Sequence, residues 1–471
     1  MKKLFLAAFS LIVIQGSANA QLDSLKIFSL DDYLDLVLNY HPVVRQAELL
    51  DELAQTELLY ARGFFDPKIE SEFQTKRFDE KQYYRLLDNV LKIPVWTNTD
   101  LKLGYERNSG SFLNEENTLP ENGLLYGGIS LPVGRGLFID ERRAAVKQAR
   151  LMQDMANAEK VKMINKIFLT AIKDYWSWFN AYQNLQILQD GVRLAEVRFR
   201  AIKQNVLLGD YAPIDSVEAK ITLQNRLVEA NEANLDLENT RLILSNHLWN
   251  KDSEPLELSP EAQPVWFGLT VIPEKTYFIE EARLRHPELQ KLGLKLQTLE
   301  IDRKLQTEFL KPEININYNF LNLPAISNDN GREGGLFTND YKFGMEFAFP
   351  IFLRKERAKL RKTNLKLVQT NYELSQSRQE ILNTINTSYN SLTTFYQQLD
   401  LQEDMVQNYQ RLLNAEILNF NNGLSSLFLV NTRETKLLEA RAKLVDLQTK
   451  TQKSLIQLYW ASGVPLQQIN Q

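Results

Sequence analysis

The stretch Pro312-Glu-Ile-Asn-Ile-Asn-Tyr-Asn-Phe320, followed after a polar gap by Tyr341-Lys-Phe-Gly-Met-Glu-Phe-Ala-Phe-Pro350, alternates between two kinds of surface. Ile314, Ile316, Tyr318 and Phe320 interleave with Asn315, Asn317 and Asn319; Tyr341, Phe343, Met345 and Phe347 interleave with Lys342, Gly344, Glu346 and Ala348. A β-strand sends successive side chains to opposite faces, so both runs read as strands with one apolar and one hydrated face. Together they form a hairpin. Segments near the ~9–11 residues of a tilted membrane strand, with aromatics on the apolar face, fit a membrane barrel. A half-buried hairpin in a soluble sandwich fits this stretch equally well, so the flanking sequence must decide.

The chain opens with Lys2 and Lys3, an apolar run from Leu4 to Ile14, and Ala18-Asn19-Ala20, the pattern of a cleavable signal peptide over residues 1–20. Beyond it no stretch is long and apolar enough for a membrane helix. Removing two lysines takes the net charge from -4 to -6. This acidic balance, with no basic stripe, excludes a nucleic-acid partner. The chain has no cysteine, which removes thiol catalysis, disulfides and thiolate metal sites.

An internal repeat organises the rest. His41-Pro42 recurs as His286-Pro287, Pro67 as Pro312 and Ile69 as Ile314, all at an offset of 245 residues. Leu131-Pro132 matches Phe349-Pro350, and each is followed by a basic segment containing Arg142-Arg143 or Arg354-Lys355-Glu356-Arg357. No proline lies between Pro132 and Pro213 or between Pro350 and Pro465, and each of these runs is broken by a glycine, Gly209 or Gly423. Apolar spacing makes them helical. The expected organisation is a first repeat over 21–250 (helix, β-hairpin 67–133, long helix 140–208, helix 211–249), a Pro-, Asp- and Ser-containing linker over 251–273, and a second repeat over 274–471 (helix, β-hairpin 312–350, long helix 353–422, helix 425–461). A helix from Leu353 to Asn422 would be roughly 100 Å long, which no globular domain requires. Between Gln369 and Gln410 it carries a thin apolar seam (Ile381, Ile385, Tyr389, Leu392, Phe395, Leu399) on an Asn-, Gln-, Ser- and Thr-rich background. That composition suits a helix with a wide wet face, as in the wall of a tube.

With these parts in this order, the sequence resembles the TolC-like outer-membrane efflux proteins over essentially all of its mature length. The resemblance rests on the paired helix openings (Leu30 to His41-Pro42, Phe278 to His286-Pro287), the prolines opening and closing the hairpins, and the two glycine turns. It implies a mixed α and β membrane protein: tandem helix/β-hairpin/long-helix units forming a trimeric outer-membrane β-barrel continuous with a periplasmic α-helical tube. The residues themselves offer no Gly-rich phosphate loop, no Ser or Cys nucleophile motif and no paired carboxylates at a distinctive spacing, so a non-enzymatic channel without cofactor or metal is expected. Its expected partners are two more copies of itself, outer-membrane lipid, a periplasmic adaptor protein and an inner-membrane pump of the RND or ABC class. A trimeric barrel-anchored coiled coil with a structural or adhesive role is the alternative.

On this reading Ile314, Ile316, Tyr318, Phe343 and Phe347 face lipid and Asn315, Asn317 and Asn319 face the lumen. The tip turns and gate comprise Gly209, Asp210, Asp215, Glu218, Gly423 and Ser425. Two departures from the family stand out. The first hairpin region is 27 residues longer than the second: either its hairpin is extended outside the cell or the protomer contributes six strands and not four, and four membrane strands with additional β-structure is the reading taken here. The family's best-known member has aspartates six and nine residues after the second tip glycine and an arginine two after it, where this chain has Leu429, Thr432 and Ser425. Any acidic constriction must therefore come from Asp210, Asp215 or Glu218. His41 and His286 occupy equivalent slots before a helix-restarting proline and carry no metal-ligand pattern.

Overall fold

The computed structural model describes residues 27–266, 268, 271–322 and 340–466; the signal peptide expected over 1–20 lies outside them. In chain order the elements are β1 (Ile27–Phe28), α1 (Leu30–Tyr40), α2 (Pro42–Arg62), β2 (Lys68–Phe78), β3 (Lys81–Pro94), β4 (Asp100–Ser109), β5 (Leu124–Pro132), α3 (Glu141–Leu208), α4 (Pro213–Ser245), β6 (Gln263–Pro264), α5 (Lys275–Arg285), α6 (Pro287–Glu308), β7 (Glu313–Asn322), β8 (Tyr341–Ala348), α7 (Arg354–Asn421) and α8 (Leu427–Ala461). Both histidine–proline pairs separate two helices: His41 and His286 are extended, as a residue preceding proline prefers. The chain divides into two compact units, one of residues 1–49, 159–287 and 377–471, the other of residues 50–158 and 288–376.

The first unit is helical. Ser29 caps α1 by accepting the Asp32 N–H at 3.1 Å, and Leu30, Tyr33, Leu34 and Val37 form its buried stripe. That stripe meets an aromatic core of Phe28, Tyr175, Trp176, Trp178 and Phe179, closed by Leu244, Leu248, Leu258 and Ile456. Trp176 packs edge-on against Phe179 (5.2 Å between centroids) and Trp266 (5.7 Å). The Tyr175 hydroxyl donates to Phe28 O at 3.0 Å and accepts the Val265 N–H at 3.1 Å, tying together the two short parallel strands β1 and β6. Burial pushes this phenol up to about 12, which keeps its donor proton in place. A second cluster joins Phe278 and Ala282 of α5 to Ile385 and Leu392 of α7 and Leu458 of α8.

The second unit holds one six-stranded antiparallel sheet in the order β2-β3-β4-β5-β7-β8. The additional β-structure expected in the first half is part of this sheet: β2 to β5 form one continuous ladder with β7 and β8. β3 pairs with β2 from Lys92 opposite Lys68 to Lys81 opposite Phe78, and with β4 from Arg85 opposite Ser109 to Pro94 opposite Asp100. The β2–β3 turn is Asp79-Glu80, both at positive φ (50° and 58°), the geometry that lets a two-residue turn follow the strand twist. Below the strands, Leu58 and Ala61 of α2 pack on Val146 and Ala149 of α3.

Registers across the sheet put matching side chains on matching faces. Ile69, Leu91, Leu103 and Gly127 follow one another across β2 to β5, and Leu131, Ile316 and Met345 do so across β5 to β8. Residues one place along, including Glu70, Lys92, Lys102, Asn317 and Glu346, share the other face.

Candidate functional site

The sheet supplies the first candidate surface, with two unlike faces. On the apolar face Ile69 is 81% exposed, Phe343 56% and Phe347 64%, far more than a protein core permits. Ile314, Ile316 and Tyr318 lie on this same face, opposite Phe347, Met345 and Phe343.

The other face is polar and internally bonded. Lys102 Nζ donates to Asn317 Oδ1 at 3.0 Å, Lys92 pairs with Glu70, and the Tyr126 hydroxyl donates to Asp88 Oδ1 at 3.3 Å. Asn315, Asn317, Lys102, Asp100, Arg142 and Glu346 line an open cavity of about 500 Å³. Asn319 lies on the same face with its Oδ1 against Gly128, where a Cβ would come within 2.0 Å of it. At the cavity's rim Arg142 reaches Asp100 Oδ1 at 2.9 Å and Asn98 Oδ1 at 2.7 Å, and Arg143 reaches Asp140 Oδ1 at 2.9 Å. Arg142 and Arg143 thus lock the β3–β4 turn and the start of α3, a role that the basic segment alone did not reveal.

The second candidate, in the helical unit, is the pair of glycine turns. Gly209 (φ +89°) donates to Val206 O and Asp210 to Asn205 O; Gly423 (φ +73°) donates to Phe420 O and Leu424 to Asn419 O. Both are the same left-handed helix stop, whose carbonyls are satisfied from beyond the glycine. No atom lies within 4 Å of a Cβ built on either glycine, so conformation, and not space, selects the residue. Tyr211 stacks on Phe420 at 6.1 Å and 9°, and Ile202, Ala219 and Leu427 close a small core beside it, so the two turns come together.

The polar residues at these turns have different partners. Asp215 Oδ2 accepts the Ala212 N–H at 3.2 Å at the start of α4, Ser425 donates to Glu416, and Glu218 accepts from Asn431 at 3.4 Å. Asp210 is exposed. Sequence reasoning missed a buried network further along these helices: Arg198 pairs with Glu434, which is 1% exposed, and donates to Asn431 Oδ1 at 2.9 Å, while the buried Arg226 donates to Thr435 at 2.7 Å and Glu229 at 2.8 Å. A buried glutamate needs its cation, but nothing in local sequence distinguishes Glu434 from its solvated neighbours. Among the described residues no cluster of three or more acidic, histidine or cysteine side chains is arranged to hold a metal ion.

Residues 278–464 match the model of the outer membrane efflux protein family. Most of the chain superposes on solved channels: the Campylobacter jejuni CmeC outer membrane channel (TM-score 0.67, 14% identity, 99% of this chain and 93% of that one) and the open-state Neisseria gonorrhoeae MtrE outer membrane channel (0.65, 14%, 93% and 89%). The Vibrio cholerae outer membrane protein VceC superposes with a TM-score of 0.64 at 14% identity, over 94% of this chain and 96% of that one. Its second half thus carries the family match, and the chain has the fold of these outer-membrane channels. No curated protein matches it in sequence. The family that the second half matches is one of non-enzymatic transport proteins, and TolC-family channels are trimers.

Proposed function

We propose that this chain is a TolC-like outer-membrane efflux protein, the passive exit duct of a tripartite efflux or type I secretion system, joined through a periplasmic adaptor to an inner-membrane pump of the RND or ABC class that supplies the energy. The observation that carries this reading is the two-faced sheet with open edges: an exposed apolar face, a polar face bearing bonded charges, and unpaired strands on either side. Unpaired strand edges are not tolerated in lipid, so the sheet requires copies of itself to close. In the assembled duct Ile314, Ile316, Tyr318, Phe343 and Phe347 meet lipid, and Asn315, Asn317 and Asn319 line water.

The glycine turns form the adaptor-facing tip and gate, with Gly209 and Gly423 as turn residues and Asp210 as the free acid beside Asp215, Glu218 and Ser425. Exposed Leu207, Leu208, Ile214, Leu424 and Phe428 give this tip an apolar surface suited to a protein partner. Each half of the duplicated chain, 21–250 and 274–471 around the 251–273 linker, supplies one turn. Deleting the gene tests the reading: sensitivity to detergents, dyes and antibiotics should rise or secretion should fail, and a strain unchanged in all of these would refute it.

A further inference from the structure

From the uninterrupted ladder we infer that the trimer closes an eighteen-stranded barrel, in which β8 of each copy pairs with β2 of the next with a stagger of six residues per copy. The inference rests on the trimeric duct proposed above and adds its strand count and register, which set the width of the lumen.

Six of the eight strands among the described residues, β2 to β5 with β7 and β8, are hydrogen-bonded in one sheet, and β2 and β8 are its edges. β2 is exposed along its whole length and β8 at all but one residue. Six is an even number, so β8 runs antiparallel to the β2 it would meet, and three copies give eighteen strands, an even count within the range of bacterial barrels.

The stagger can be read off the sheet. A line of directly paired residues starts at Lys68, the first residue of β2, and passes through Lys92, Lys102, Gly128 and Asn319 to Lys342. Lys342 lies six residues before Ala348, the end of β8. Lys68 and Ala348 are both strand ends adjoining helices. For every copy to present the same rim, Lys68 of one must stand opposite Ala348 of the next. Ile69 then faces Phe347, Ser71 faces Met345 and Phe73 faces Phe343, joining the apolar faces without a break.

Only even staggers preserve the faces, because a slip of one residue would turn every side chain over. With a strand rise of ~3.4 Å and a spacing of ~4.8 Å, six residues per copy tilts the strands by about 35°, four by about 25° and eight by about 43°. Four falls below the ~35–45° of known barrels. Eight would set Glu72 against Glu346 and Lys76 against Lys342, two like-charge pairs. Six sets Glu70 against Glu346, but Glu70 already holds Lys92. It also brings Lys68 diagonal to Glu346 and Lys342 diagonal to Glu72; among the described residues these four have no ion-pair partner within their own protomer. At this tilt the barrel backbone is roughly 34 Å across, against roughly 22 Å for twelve strands, and eighteen is the strand count of an aqueous porin.

The chain's lack of cysteine permits a direct test by disulfide crosslinking of the full-length protein in outer membranes with copper phenanthroline. Ser71→Cys is combined in turn with Met345→Cys, Phe343→Cys and Phe347→Cys, registers of six, four and eight. A fourth variant, Leu103→Cys with Met345→Cys, reports a twelve-stranded closure at β4. The Ser71/Met345 pair should give covalent trimers at least tenfold faster than the others. Faster crosslinking of either other Ser71 pair would overturn the six-residue stagger, and crosslinking of Leu103/Met345 would overturn the eighteen-stranded barrel. Native mass spectrometry of the single-cysteine variants separates the remaining cases: trimers that crosslink at none of these pairs overturn the closure alone, whereas the absence of trimers overturns the duct reading itself.

Discussion

The rings of His41 and His247 lie 5.8 Å apart and 32° from parallel, and His247 Nε2 is 2.8 Å from Asp174 Oδ2 while His41 Nδ1 accepts the Val43 N–H at 3.1 Å. Burial, and secondarily the neighbouring His247, lowers His41 from 6.5 to about 4. A histidine held neutral in this way binds its proton more readily unfolded than folded. Stability should therefore be fully present above pH ~6.5 and decline as pH falls toward 4, by on the order of 1–2 kcal/mol from this residue. Urea unfolding of the detergent-solubilised protein between pH 4 and 7 measures the decline. His41→Asn should flatten it, and an unchanged slope would remove His41 as its source.

The tip glycines should respond to conformation alone. Gly209→Ala and Gly423→Ala place a Cβ in open space at positive φ, so each should cost about 1 kcal/mol, and Gly423→Asn should cost less because asparagine tolerates this region. Thermal melts of the three variants test the order.

Arg198 and Glu434 should behave as a coupled pair. Arg198→Met leaves Glu434 buried beside an apolar chain and should destabilise by about 3 kcal/mol, whereas Arg198→Met with Glu434→Leu should recover most of that loss. A double-mutant cycle from urea unfolding gives the coupling energy; strict additivity would mean that the two groups act independently.

Two adjacent residues on β7 should give opposite results. Ile316→Arg puts a charge on the apolar face and should cost about 2–4 kcal/mol near the bilayer midplane, lowering the yield of assembled trimer. Asn317→Asp sets a carboxylate 3.0 Å from the Lys102 ammonium and should assemble normally. Heat-modifiable mobility on gels reads both, and a greater defect from Asn317→Asp would mean that the faces are reversed.

The 312–350 hairpin was legible because its apolar phase never slips, and the long helices because proline is absent from them. β2 was not legible in the same way. Its apolar face reads Ile69, Ser71, Phe73 and Thr75, half of it hydroxyl, so the period of two is faint, and its turn uses Asp79-Glu80 where a glycine would have announced a hairpin. The strand owes its place to cross-strand pairing with β3, a tertiary influence that outweighs its modest propensity. The glycine turns were visible as isolated breaks in helical runs. Arg198 and Glu434 were not visible as a pair, because 236 residues separate them and helical charges at that distance carry no shared pattern.

The aromatic knot around Tyr175 also has a spectroscopic consequence. Trp176 and Trp266 stand 5.7 Å apart at 78°, close enough for their indole transitions to couple as an exciton pair. Their near-ultraviolet circular dichroism should therefore report the packing of the helical unit by itself, since neither indole belongs to the sheet-bearing unit. Melting of the helical unit can thus be followed optically, apart from the unit that holds the six-stranded sheet.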